Sequence, residues 1–230
     1  MPTKPVFFKY FDPNYSYASD PLRVSISTKK VKFLFPRLFH FFGLFGRKKI
    51  VDDSETDYLQ YYEELLWEGD SQPAIVISLN PCRIACYTDE FDGVIMLEYS
   101  KSIKDFYKLE VGTKLISVNG YGDDGDICKD IVTGEKNYKR YTAITPFIAD
   151  FLSDDTSIIE KRKSEIQNDF WHKLFSLGKL IHKNFPELSR FVKKNGCVYQ
   201  FMETQNISFL EESNSLKLFK NGDEIDNTSF

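Results

Sequence analysis

The chain has 230 residues, 42% of them apolar and 28% charged, with a formal net charge of −4. That is enough chain to bury a sizeable core, and the acidic balance excludes a general nucleic-acid role. No run approaches the roughly 18 apolar residues a membrane span needs, and Met1 to Tyr10 lacks the long apolar region and cleavage site of a secretory leader, so the expectation is a cytoplasmic protein with no transmembrane segment.

The charge is unevenly spread. Residues 21–51 hold eight bases and no acid, which leaves the rest of the chain more acidic than the total suggests. The four cysteines, Cys82, Cys86, Cys128 and Cys197, follow no framework pattern and read as reduced thiols.

In chain order, residues 4–11 read as an edge strand, and Asp12-Pro13-Asn14 as a turn. Leu22 to Thr28 alternates apolar and polar, and Val31 to Phe35 continues after Lys29-Lys30, which predicts a hairpin. Pro36 to Phe42 predicts a helix of one or two turns ended by Gly43. Ser54 to Glu68 predicts a longer helix. Acids crowd its start, where the helix dipole favours them, Leu59, Tyr62, Leu65 and Leu66 form its apolar stripe, and Gly69 closes it.

Pro73 to Asn119 carries the central strands. Ala74–Leu79, Cys82–Thr88, Val94–Tyr99 and Thr113–Asn119 are rich in β-branched and aromatic residues and are separated by Asn, Pro, Asp and Gly. Residues 120–140 then read as a polar loop, and Thr145 to Leu152 as a short helix with Pro146 at its first position. Ser157 and Glu160 match a capping box, and Ile159, Ile166, Phe170, Leu174, Leu177 and Ile181 predict one long helix behind it. A short helix over Pro186–Lys194 and a three-stranded meander (197–203, 207–211, 216–220) complete the expectation.

The fold class predicted is α+β: a mostly antiparallel central sheet of five to seven strands, helices packed on one side, and a long C-terminal helix followed by a small β-meander. Residues 1–155 form the main sheet unit and 156–230 the helix and meander packed on it, with a soft boundary.

Several motifs invite a chemical reading. Gly120-Tyr121-Gly122-Asp123-Asp124-Gly125 spells a dinucleotide fingerprint, but Asp123, Asp124 and Asp126 would put negative charge where phosphates sit, and no crossover helix fits behind it. Asn119, Asp123, Asp124, Asp126 and Asp130 offer oxygens to a hard cation, yet without EF-hand spacing, and they read as a solvated acidic turn. Asp89, Glu90 and Asp92 form a second acidic corner with no histidine beside them in sequence. Cys82 and Cys86 face the same side of a strand with Cα atoms about 13 Å apart, too far for a disulfide or a shared metal. His172 and His182 do not converge on one helix face, and His40 stands alone among phenylalanines. No catalytic residue, cofactor or metal ligand is expected on these grounds.

Lys29 to Lys49 places phenylalanines and leucines between flanking bases. The segment is read as core, with a partner surface through Arg37, Phe41 and Phe42 or a membrane interface as the alternatives. The functional expectation is a non-enzymatic protein-binding module, for example a small inhibitor or immunity-type protein that occupies its partner, with Asp89, Glu90, Asp92, Asp123, Asp124 and Asp126 as acidic contacts. The alternatives are a peripheral membrane protein using 29–49, and an enzyme with an acidic site at 89–92 and 119–126.

Overall fold

The computed structural model describes residues 15–16, 20–36, 53–122, 127–192, 198–199, 206–212 and 215–225. The expected strand at 4–11, the short helix over 36–42, and Arg37, Phe41, Phe42, Asp123, Asp124 and Asp126 lie largely or wholly outside these residues. Of the basic-aromatic segment, only Lys29 to Pro36 is described.

The fold is α+β. In chain order its elements begin with β1 (Tyr15–Ser16), α1 (Thr28–Leu34) and α2 (Asp53–Glu68). The centre of the fold follows as β2 (Asp70–Leu79), β3 (Cys82–Thr88), β4 (Gly93–Tyr99), α3 (Lys101–Phe106), β5 (Lys114–Gly122) and β6 (Ala143–Ile148). Helices α4 (Thr156–Glu165) and α5 (Asn168–Asn184) then lead into β7 (Arg190–Val192) and β8 (Val198–Tyr199). A separate three-stranded sheet is made by β9 (Ile207–Glu212), β10 (Ser215–Lys220) and β11 (Asp223–Glu224).

β2, β3 and β4 form an antiparallel meander, and β5 pairs with the free edge of β2. Next to β2, β1 continues along that edge of β5, while β6 takes the other edge. Strand β7 joins β4 in parallel and β8 extends it, which makes the sheet mixed.

The sheet curls until its two ends meet. Arg190 on β7 donates to the backbone carbonyl of Ile144 on β6, the strand at the opposite end of the order. Its other guanidinium nitrogens bond both carboxylate oxygens of Asp130, at 2.5 and 2.7 Å. The ion pair is sealed, with both side chains 1% exposed. Around it the inner face carries Cys82, Ile84, Cys86, Ile95, Leu97 and Tyr99, all buried. The two thiols share a face as expected, and burial raises both, Cys82 to about 11.

α5 lies on the outer face of β2 and β3. Its Trp171, Leu174, Leu177 and Ile181 are buried, and Gly178 brings its backbone against Ile77 and Ala85. α2 packs through Tyr62, Leu65 and Leu66, with the Tyr62 ring 4.9 Å from Phe147 of β6.

Tertiary context overrides several local expectations. The predicted hairpin over 22–35 is an irregular stretch followed by α1: the Ser27 side chain caps Lys30 N, and Val31, Leu34 and Phe35 recur at helical spacing and are buried. The predicted helix at 145–152 is instead β6 and a 3₁₀ turn over Ala149–Phe151, and Pro146 is tolerated because, among the described strands, β6 pairs only with β5. The single long helix is broken by extended backbone at Ile166 and Gln167. The break lets α4 bind the 3₁₀ turn through the Lys163–Asp150 ion pair while α5 follows β2 and β3. The capping box does not form, since Asp155 is the N-cap and Glu160 pairs with Lys163. Of the helix predicted over 186–194, residues 186–192 are described and hold β7 instead, because Arg190 reaches Asp130 from a strand beside β4. Val198–Tyr199 joins the main sheet, so the meander consists of β9, β10 and β11.

Candidate functional site where two strands part

The pairing of β2 with β3 runs from Leu79↔Cys82 back to Ala74↔Cys86 and stops. Pro73, next along β2, has no N–H to donate. Beyond it Asp70 to Pro73 pair with β5 on one side, while on the other Pro21 bridges Asp70 and Ser71 N donates to the Asp20 carbonyl at 2.9 Å. In this span the polar side chains of Asp70, Gln72, Thr88, Asn119 and Tyr121 lie on the inner face, all buried.

They form one hydrogen-bonded cluster. The Tyr121 hydroxyl donates to Asp70 Oδ2 at 2.9 Å, and Gln72 Nε2 donates to the same oxygen at 3.0 Å. Thr88 Oγ1 lies 3.0 Å from the Tyr121 hydroxyl. Asn119, register partner of Asp70, donates from Nδ2 to the Tyr87 carbonyl at 3.1 Å, supplying a bond to the parted end of β3. Its Oδ1 is buried and has no hydrogen-bond partner among the described residues.

Burial pushes the Asp70 carboxyl up to about 7, and the neighbouring Asp89 carboxyl, within hydrogen-bonding reach, pushes the same way; the bonds from Tyr121 and Gln72 offset part of it. Burial and Asp70 together raise the Tyr121 hydroxyl, so it stays a donor.

The acidic corner singled out from sequence is the β3–β4 turn, and its acids diverge. Asp89 is exposed and faces Asp70. Glu90 is buried and held by both Nε and an Nη of Arg140, the former at 2.9 Å. Asp92 adopts a left-handed φ of 43°, which Asp tolerates better than most residues, and accepts from the Tyr87 hydroxyl at 2.8 Å and Lys136 N at 3.2 Å. Gly134 lies so close that a Cβ there would sit 2.5 Å from Asp92 O and Oδ2. Glu90 and Asp92 therefore fasten the 134–140 loop to the turn, and Asp89 is left to the buried cluster. Asp130, a nominee for the cation loop, belongs to the Arg190 pair.

Sequence reasoning missed Asp70, Gln72 and Tyr121. β2 begins at Asp70, before the apolar run, and β5 continues through Gly120-Tyr121-Gly122, so the supposed loop glycines are strand residues facing β6. The available signal was a polar residue directly before an apolar strand run. A second cluster on the outer side joins Arg83 to Glu98 (3.0 Å) and to His182 Nδ1 (2.9 Å). Ser189 donates to Glu98 rather than to the histidine, so no serine–histidine relay forms. Burial and Arg83 hold His182 below its ordinary value.

No family model, characterised protein or solved structure matches this chain.

Proposed function

We propose that this protein is a non-enzymatic binding module, of the inhibitor or immunity type, that docks a partner protein on the β3–β4 corner. The carrying observation is Tyr138. It is 63% exposed, the most exposed large hydrophobic residue among those described, and the Arg140 guanidinium stands 5.1 Å over its ring. Arg140 is in turn held by Glu90, and the Glu90 carbonyl accepts from Tyr138 N at 3.0 Å. Tyrosine and arginine are the residue types that anchor interfaces, and here both are held before any partner arrives, which lowers the ordering cost of association. Asp89, exposed beside them, suits a partner with a basic surface.

The test is affinity capture from native lysate with the full chain and a Tyr138→Ala/Arg140→Ala variant. A stoichiometric partner bound at least tenfold more weakly by the folded variant, a loss of about 1.4 kcal/mol, supports the corner. A partner retained at full affinity by the variant rejects it.

A peripheral membrane reading has its own observation. Phe33 of α1 stacks on Phe106 of α3 at 3.7 Å, and Phe106 (44% exposed) and Val111 (46%) stand near exposed Lys29, Lys32, Lys101 and Lys108 on those elements and their flanks. Rings amid lysines are the chemistry of an anionic bilayer surface. Sedimentation with phosphatidylserine vesicles at low salt, abolished by Phe106→Asp, favours that reading. Sedimentation that Phe106→Asp leaves intact counts against it.

A further inference from the structure

The polar cluster on the outer face of β3 and β4 fixes the protonation state of its histidine. Arg83 Nη1 stands 2.9 Å from Nδ1 of His182, which lies in the last turn of α5. A guanidinium can only donate, so Nδ1 must present a lone pair, and the imidazole is neutral with its proton on Nε2. Arg83 is 8% exposed and is held by Glu98, whose Oε2 accepts from the arginine Nε at 3.0 Å and from the Ser189 hydroxyl at 3.1 Å. Turning Arg83 away from the histidine would cost its bond to Glu98 as well. The four side chains thus join the end of α5 to β3, to β4 and to the residue directly before β7.

We infer that the His182–Arg83 contact is a pH-sensitive latch, which seats the last turn of α5 on β3 while the imidazole is neutral and releases that turn in mild acid. A proton on Nδ1 replaces the acceptor with a second donor and sets two cationic groups against each other. Burial opposes that proton most, followed by Arg83 from β3 and Lys179 from the same helix, while Glu98 from β4 favours it. The latched ring therefore holds a proton less tightly than a released ring with the ordinary value of 6.5. As pH falls below that value the released form binds more protons, so acid favours release and neutral pH favours the latch. Once free, the imidazolium sits in the last turn of a helix, where the dipole favours a cation. The turn leads through Phe185 into β7, so the released segment feeds the strand that closes the sheet. The latch is separate from the Tyr138–Arg140 docking surface and does not depend on it.

The experiment follows the full-length protein from pH 8 to pH 5 by NMR, reading the ring nitrogens of His182 and the exchange protection factors of the α5 amides, corrected for intrinsic exchange. At pH 8 the ring should be neutral with its proton on Nε2, and it should titrate below the ordinary 6.5. Between pH 8 and pH 5, protection at Ile181 to Phe185 should fall about fivefold relative to Leu174 to Gly178, which report global unfolding of the same helix. His182→Gln, whose amide oxygen can accept from Arg83 but does not titrate, should keep that ratio constant. A proton on Nδ1 at pH 8 overturns the inference, and so does a ratio that stays constant in the wild type or falls equally in His182→Gln.

Discussion

Asp70 shows how one residue's surroundings set its chemistry. An aspartate raised to about 7 binds its proton more tightly in the folded chain than in the unfolded one, whose carboxyl keeps the ordinary value of 3.8. The folded state thus holds more protons between about pH 4 and pH 7, and stability falls as pH rises through that window. Asp70→Asn mimics the protonated form: its amide still accepts from Tyr121 and Gln72 and can donate toward Asp89. Thermal unfolding in EDTA at pH 5 and pH 8 should show a smaller fall for Asp70→Asn than for wild type. Equal falls would mean that Asp70 does not carry the effect.

Among the elements, α5 decides how closely a helix can approach β2 and β3. A Cβ on Gly178 would lie 2.5 Å from Ile77 Cδ1 and 2.9 Å from Ala85 Cβ. The Ile77 tip can swing, but Ala85 Cβ is tied to the sheet backbone, so the helix itself must move. Gly178→Ala should gain the helix propensity of alanine and still lose about 1–3 kcal/mol to overpacking, read as a lower urea midpoint with an unchanged m-value. A variant as stable as wild type would show that α5 shifts without cost. The same close packing explains the break before α5, since one straight helix over 157–183 could not lie along β2 and β3 and also hand Lys163 to Asp150.

At the scale of the whole molecule, Arg190 and Asp130 join the two ends of the curled sheet. Removing one partner strands a buried charge, so Asp130→Ala should cost about 3–5 kcal/mol, whereas Arg190→Met with Asp130→Leu should cost less than the two single changes together. A denaturant double-mutant cycle measures the difference, and additive losses would show that the two side chains act separately.

Much of the central meander was legible in the sequence, because β-branched runs bounded by Asn-Pro and Asp-Gly leave few alternatives to strands. The α2 stripe was legible for the same local reason, with Tyr62, Leu65 and Leu66 recurring on one face and buried there. Residues 22–35 were not, since alternation over 22–28 and helical spacing over 31–35 are both present, and burial of Val31, Leu34 and Phe35 decides between them. Pro146 reads equally as a helix start or an edge-strand residue, and the pairing of β6 with β5 alone among the described strands selects the latter. Of the acidic corner, the sequence by itself determined that Asp89, Glu90 and Asp92 share a turn. Which of them points to Asp70 and which to Arg140 was decided by tertiary structure, because those partners lie on distant parts of the chain, whereas the Tyr87 hydroxyl meets Asp92 across the turn itself.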